Sequence, residues 1–254
     1  MIKMVMFDLD GTLLPMDMDV FIKCYFTLLA QKLTPCGYDD AKKLVNSIWA
    51  GVSAMVGNDG SCVNETAFWN KFTEIYGEKC LEDKPVFEEF YENEFQQAKS
   101  CCGYTEEAKK TVAALKAHGT RVALATNPLY PAVATESRIR WAGLEPEDFE
   151  FYTTYENSCF CKPNPLYYTE LAEKLGVKPE ECLMVGNDAD EDIAAEKAGM
   201  KVFLLTDCLL NKQGKDIGKY PNGSFEDLNR FLSDCGLASM MCSSPPTRPS
   251  HTSA

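Results

Sequence analysis

The chain has 254 residues, 45% of them hydrophobic and 25% charged, with a formal net charge of −13. That length accommodates one substantial core with a smaller satellite, and the composition excludes the disordered and fibrous classes for most of the chain. The acidic balance repels nucleic acid and anionic lipid, whose binding relies on clustered Lys and Arg, so no nucleic-acid role is expected.

The longest apolar stretches, Val20 to Leu33 and Lys201 to Leu210, are broken by polar residues and too short to span a bilayer. The amino terminus enters Met4-Val5-Met6-Phe7 at once, without the basic region and cleavage site of a secretory signal, and a cytoplasmic location is expected. The 12 cysteines are then read as reduced thiols. Cys101-Cys102 and Cys159-Phe160-Cys161 lack the spacing of paired zinc ligands, and only His118 and His251 are available to help.

Five short apolar runs bounded by turn residues read as buried strands: Lys3 to Phe7, Arg121 to Ala125, Phe149 to Thr153, Cys182 to Val185 and Lys201 to Leu205. After the first strand, residues 16 to 100 carry helical stripes and no strand. One stripe runs through Val20, Phe21, Cys24, Tyr25, Leu28 and Leu29, a second through Phe68, Phe72, Ile75 and Tyr76, and a third through Phe87, Phe90, Tyr91 and Phe95. Helical patterns follow at Glu106 to His118, Ala132 to Ala142, Leu166 to Leu175 and Asp190 to Ala198. Gly119, Gly143, Gly176 and Gly199 stand just beyond them, where a left-handed cap is wanted. Alternating strand and helix predicts an α/β fold, a Rossmann-like parallel sheet with a small α-helical cap inserted after the first strand. The core is expected at 1–15 and 101–235, the cap at 16–100, and a disordered Ser/Pro/Thr-rich tail at 236–254. An insertion there overhangs the carboxyl ends of the strands, where such sheets bind ligands.

Four motifs end on those strands. The first is Asp8-Leu9-Asp10-Gly11-Thr12, whose two carboxylates are costly to bury unless paired or bound to metal. The second ends a strand at Thr126-Asn127-Pro128, where the Thr126 hydroxyl and the Asn127 backbone N–H suit a phosphate oxygen. The third is Cys161-Lys162-Pro163-Asn164-Pro165, its prolines fixing a loop and opening a helix. The fourth is Gly186-Asn187-Asp188-Ala189-Asp190-Glu191-Asp192, acidic enough to bind a hard cation through oxygen. Each alone has an ordinary explanation: an Asp-rich turn, a helix start, a surface lysine, or a solvated acidic helix start.

In this order the motifs resemble the haloacid dehalogenase superfamily, over nearly the whole chain to about Cys235, and its phosphoglycolate phosphatase-like members with a helical cap in particular. The resemblance implies a phosphatase acting on a small phosphate ester. Asp8 would be the nucleophile that takes up the phosphoryl group, and Asp10 the acid and base. Mg2+ would be held by Asp8, the Asp10 backbone carbonyl and Asp188. Thr126 and Lys162 would hold the transferring oxygens, and Asp192 would orient Lys162 or metal-bound water from behind. Many members place the metal-binding Asp directly after the Gly, where Asn187 stands here, so Asn187 is an alternative ligand and Asp188 the assigned one.

Asp10 favours a phosphatase over a dehalogenase, which needs no acid on its leaving group. A phosphomutase shares the same core, a phosphonate hydrolase would offer a cap lysine such as Lys23 or Lys32, and a phospho-aspartate receiver module is a reading of a different class. Specificity is expected in the cap, at Met55 to Ser61 and on the helix carrying Asn64, Glu65, Phe68 and Trp69. A monomer is the default.

Overall fold

The structure is a computed structural model that describes residues 1–238. Five parallel strands form one sheet in the order β2-β1-β3-β4-β5, with β1 at Met4–Phe7, β2 at Arg121–Leu124, β3 at Cys182–Gly186, β4 at Lys201–Leu205 and β5 at Asn222–Gly223. Successive side chains of a strand point to opposite faces. Val5 and Phe7 accordingly pack into one hydrophobic layer with Leu124, Val185 and Phe203, while Met4 and Met6 pack into the other with Ala123, Met184 and Leu204. The first layer is covered by α5 (Glu106–Ala117), α6 (Ala132–Trp141) and α8 (Phe225–Asp234), the second by α7 (Pro165–Lys174) and a 3₁₀ helix at Asp192–Ala198. The glycines after α5, α6, α7 and the 3₁₀ helix have φ of +82°, +76°, +62° and +100°, the left-handed caps expected.

Two expected elements differ. Phe149 to Thr153 runs beside β2, with Glu150 N–H donating to Val122 O and Leu124 N–H to Phe151 O, yet pairs only through an isolated Leu124–Tyr152 bridge. Asn157 curls the backbone away: its Nδ2 donates to Tyr152 O and its Oδ1 accepts from Thr154 N–H. The fifth strand is instead Asn222–Gly223, too short to leave a pattern. The helix expected from Asp190 starts at Asp192 as a 3₁₀ helix, because Asp188 Oδ1 takes the N–H groups of both Asp190 and Glu191 into a turn.

Between β1 and β2 lies a helical cap: α1 (Met18–Leu33), α2 (Ala41–Val56), α3 (Asn64–Tyr76) and α4 (Lys84–Glu92). α4 stops short of Phe95, since Asn93 N–H and Nδ2 both bond Glu89 O, and Phe95 falls on the 3₁₀ segment Glu94–Cys101. The chain enters and leaves the cap through an antiparallel bridge, Met16 to Cys102, with Gly103 N–H donating to Pro15 O at 2.6 Å. Of the expected tail, Leu237 and Ala238 are packed, and Leu237 O accepts from Thr120 Oγ1; 239–254 lie outside the described residues. No helix among the described residues is long and apolar enough to cross a membrane.

Glycine inside a helix costs about 0.5–1 kcal/mol relative to alanine, yet Gly51 sits within α2. A Cβ there would lie 2.4 Å from the Phe68 ring, so the glycine lets α2 and α3 close on one another. Gly51→Ala is expected to destabilise the protein by about 1–3 kcal/mol in urea unfolding, overpacking outweighing the helix preference. A gain in stability would show that the Phe68 ring yields.

Candidate active site

Register sets the site. Phe7 lies level with Leu124 on one side and Val185 on the other, so the residues after each strand emerge together at the carboxyl edge. Asp8 N–H donates to Val185 O at 2.8 Å and Ala125 N–H to Phe7 O at 2.6 Å, extending the ladders to the rim. Asp8, Asp10, Thr126, Asn127, Asn187, Asp188 and Asp192 all line one cavity of about 260 Å³ between this edge and the cap.

Behind the cavity, Lys162 is wholly buried and its Nζ donates to Asp8 Oδ1 at 2.8 Å and to Asp192 Oδ1 at 2.7 Å. Burial alone would lower the Lys162 pKa, but the Asp192 and Asp8 carboxylates outweigh it and hold the ammonium well above its usual range. Burial pushes both Asp8 and Asp192 upward, against the pull of Lys162. Asp192 also fixes the neighbouring turn, its Oδ2 accepting from Asp188 N–H at 2.9 Å. Gly186 is required beneath it, since a Cβ there would lie 2.0 Å from Asp192 Oδ2.

The other predicted residues divide into those facing the cavity and those bracing it. Thr126 is buried, and its carbonyl accepts from Thr153 Oγ1 and Tyr167 OH. The Asn127 side chain ties the second motif to the third and fourth: Oδ1 accepts from Lys162 N–H, and Nδ2 donates to both oxygens of Glu191. Glu191 is pushed up to about 8, chiefly by burial and then by Asp192, Asp188 and Asp8. Asn187 is a brace: Nδ2 donates to Cys208 O at 2.8 Å and Oδ1 accepts from Thr12 Oγ1 at 2.9 Å. Thr12 in turn donates to Asp8 Oδ2 at 3.2 Å. Gly11 turns the chain at φ +84° directly against Asn187, where a Cβ would lie 2.3 Å from Nδ2.

Asp10 meets a residue that sequence reasoning missed. Arg138 on α6 is fully buried, pairs through Nη1 with Asp10 Oδ2, and lies 4.3 Å over the Tyr130 ring. Asp10 Oδ1 is buried without a hydrogen-bond partner. The available signal was a charge on the buried face of α6, one turn from both Ala134 and Ala142.

In the cap, Phe68 and Trp69 line the cavity, as do Phe21, Tyr25 and Trp49. The Met55 to Ser61 candidate is instead partly the end of α2 and partly a clasp. Gly60 abuts the Phe160 ring, and Asn58 Nδ2 donates to Asn64 Oδ1. Asn64 N–H donates to Ser158 O, and Glu65 N–H to Tyr155 O. Lys32 is held by Glu89 and Glu94, and Lys23 is exposed; neither lines the cavity. Asp190 pairs with Lys215 at 2.8 Å. The described cysteines are free thiols.

Residues 2–199 match the family described as haloacid dehalogenase-like hydrolase. A phosphoglycolate phosphatase of Vibrio vulnificus is 29% identical over 210 residues, covering 81% of this chain and 84% of that protein. A HAD phosphatase from Thermococcus onnurineus superposes with a TM-score of 0.57 at 21% identity, over 91% of this chain and 98% of that one. A 2-haloacid dehalogenase from Pseudomonas syringae gives 0.58 at 22%, over 92% and 100%, a likeness of fold.

Breaking a buried ion pair leaves a charge without its partner at a cost of about 3–5 kcal/mol. Arg138→Met is expected to lose about that much in urea unfolding, and less in an Asp10→Asn background, where the carboxylate is already gone. Equal losses in both backgrounds would show that Arg138 acts only by packing.

Proposed function

The chain belongs to the haloacid dehalogenase-like hydrolases, and on that premise we propose that it is a Mg2+-dependent phosphatase acting on a small phosphate ester through phosphorylated Asp8. The observation that carries this reading is the buried Lys162 ammonium bound to both Asp8 and Asp192. It aims a cation at the point where a nucleophilic carboxylate and a phosphoryl group would otherwise repel one another. Cytoplasmic action is part of the proposal, and free thiols fit a reducing compartment.

The donor set suits a hard divalent cation. Asp8, Asp10, Asp188 and Asp192 line the cavity with only Lys162 and Arg138 paired among them, so the cluster retains excess negative charge. No group of three or more His, Cys, Asp and Glu side chains converges as a metal site among the described residues. The set proposed here needs only two carboxylates, Asp8 and Asp188, with the Asp10 carbonyl completing it, the sparse protein ligation typical of Mg2+. When bound, the ion would neutralise charge on the transferring phosphoryl oxygens. Asn187, with both side-chain ends engaged by Thr12 and Cys208, is proposed as a brace rather than a ligand.

In the first step an Asp8 oxygen forms a bond to phosphorus while the ester P–O bond breaks, and Asp10 gives its proton to the departing alkoxide. In the second, Asp10 takes a proton from water as the water oxygen attacks phosphorus and the Asp8–phosphorus bond breaks. Arg138 holds the Asp10 carboxylate in place through Oδ2. Thr126 and Lys162 hold the non-bridging oxygens.

Phosphate release from acetyl phosphate and para-nitrophenyl phosphate is expected with Mg2+, lost on chelation and restored by adding the ion. Asp8→Asn is expected to abolish it, and Asp10→Asn to lower kcat by about 10²–10⁴. Stable phosphorylation without turnover would instead mark a receiver, and interconversion of glucose phosphates a mutase.

A further inference from the structure

The cavity has two chemically distinct ends. Its floor carries the carboxylates of the core motifs, and its cap side is walled by Phe26, Ile48, Trp49, Val52, Phe68 and Trp69. Phosphate held at the floor would direct the alcohol half of an ester toward that wall.

The wall offers an anion no free positive charge. Among the described residues lining the cavity the one Lys or Arg is Lys212, exposed on the loop after β4. The nearby cations are already committed: Arg138 to Asp10, Lys162 to Asp8 and Asp192, and Lys84, which rests 4.9 Å over the Trp69 ring, to Glu65. A carboxylate or second phosphate seated among these side chains would be desolvated without a counter-charge, a costly arrangement.

A second observation concerns Trp69, which is 5% exposed and whose Nε1 has no hydrogen-bond partner. The Tyr155 hydroxyl is near enough to interact with it but outside hydrogen-bonding geometry. Buried donors are rarely left unmatched. An indole N–H donates to an oxygen or a π face but brings no charge to neutralise an anion. The Tyr25 and Tyr91 hydroxyls, 2.9 Å apart, already satisfy one another on the same wall.

We propose that the ester cleaved here carries an uncharged, ring-bearing apolar alcohol, in contrast to the anionic glycolate named in the relatives. The aromatic wall would take such a ring by edge and face contacts, and its burial would supply binding without a charge partner. This inference rests on the phosphatase reading of the same site.

The test compares kcat/KM of the native protein with Mg2+ for benzyl phosphate and 2-phosphoglycolate, both alkyl esters, with acetyl phosphate reporting the core chemistry alone. Benzyl phosphate is expected to exceed 2-phosphoglycolate by at least about a hundredfold. Trp49→Lys places a cation on the half-exposed part of the wall and is expected to lower kcat/KM for benzyl phosphate while raising it for 2-phosphoglycolate, opposite movements that loss of folded protein cannot produce. Acetyl phosphate turnover accompanied by equal or greater activity on 2-phosphoglycolate would overturn the inference and leave the phosphatase reading standing. Absence of turnover on all three esters would overturn both.

Discussion

An ammonium group sealed from water must find its counter-charges inside the protein, and Lys162 finds them on Asp8 and Asp192. Burying those three groups singly would each cost several kcal/mol, so the arrangement stands only while all three are held in place. Much of the core can be read as meeting that demand. Parallel register brings the ends of β1 and β3 level, Gly186 leaves room for the Asp192 carboxylate, and Asn127 anchors the Lys162 backbone. The same triad leaves the site short of positive charge, and the proposal of a divalent cation rests on that deficit.

The cap answers a different requirement. Asn64, held by Asn58, and Glu65 fasten it to the loop at Tyr155 to Cys161, and the paired segments at Met16 and Cys102 form its two-stranded root. Core chemistry and cap chemistry meet at Tyr130, whose ring stacks on Arg138 on one side and packs 5.7 Å from Tyr25 on the other. Arg138 thus touches both Asp10 and the aromatic ring that meets the cap.

The sheet core was legible because buried parallel strands leave continuous apolar runs, and four of five did so. Phe149 to Thr153 has the same composition, but Asn157, outside the run, curls its end away through bonds to Tyr152 and Thr154. The motif residues were legible because carboxylates, a threonine and a lysine at strand ends have few structural reasons to be there. Asp8, Asp10, Thr126, Asn127, Asn187, Asp188 and Asp192 share one cavity, and the side chains of Asn127 and Asn187 also brace neighbouring loops. Arg138 was not legible because its partner is 128 residues away and nothing in an isolated helix distinguishes a buried arginine from a surface one. Helix α2 escaped notice for a related reason: Gly51 interrupts its apolar stripe, and only contact with Phe68 explains it.

The central claim is that the Asp8 carboxylate itself becomes phosphorylated. Acid-quenched single turnover of a radiolabelled ester, followed by proteolysis and mass mapping, tests it most directly. Label is expected on the peptide carrying Asp8, appearing and decaying in step with phosphate release and persisting longer in Asp10→Asn. Full phosphate release with no label on that peptide at any quench time, or label on another residue, would contradict it.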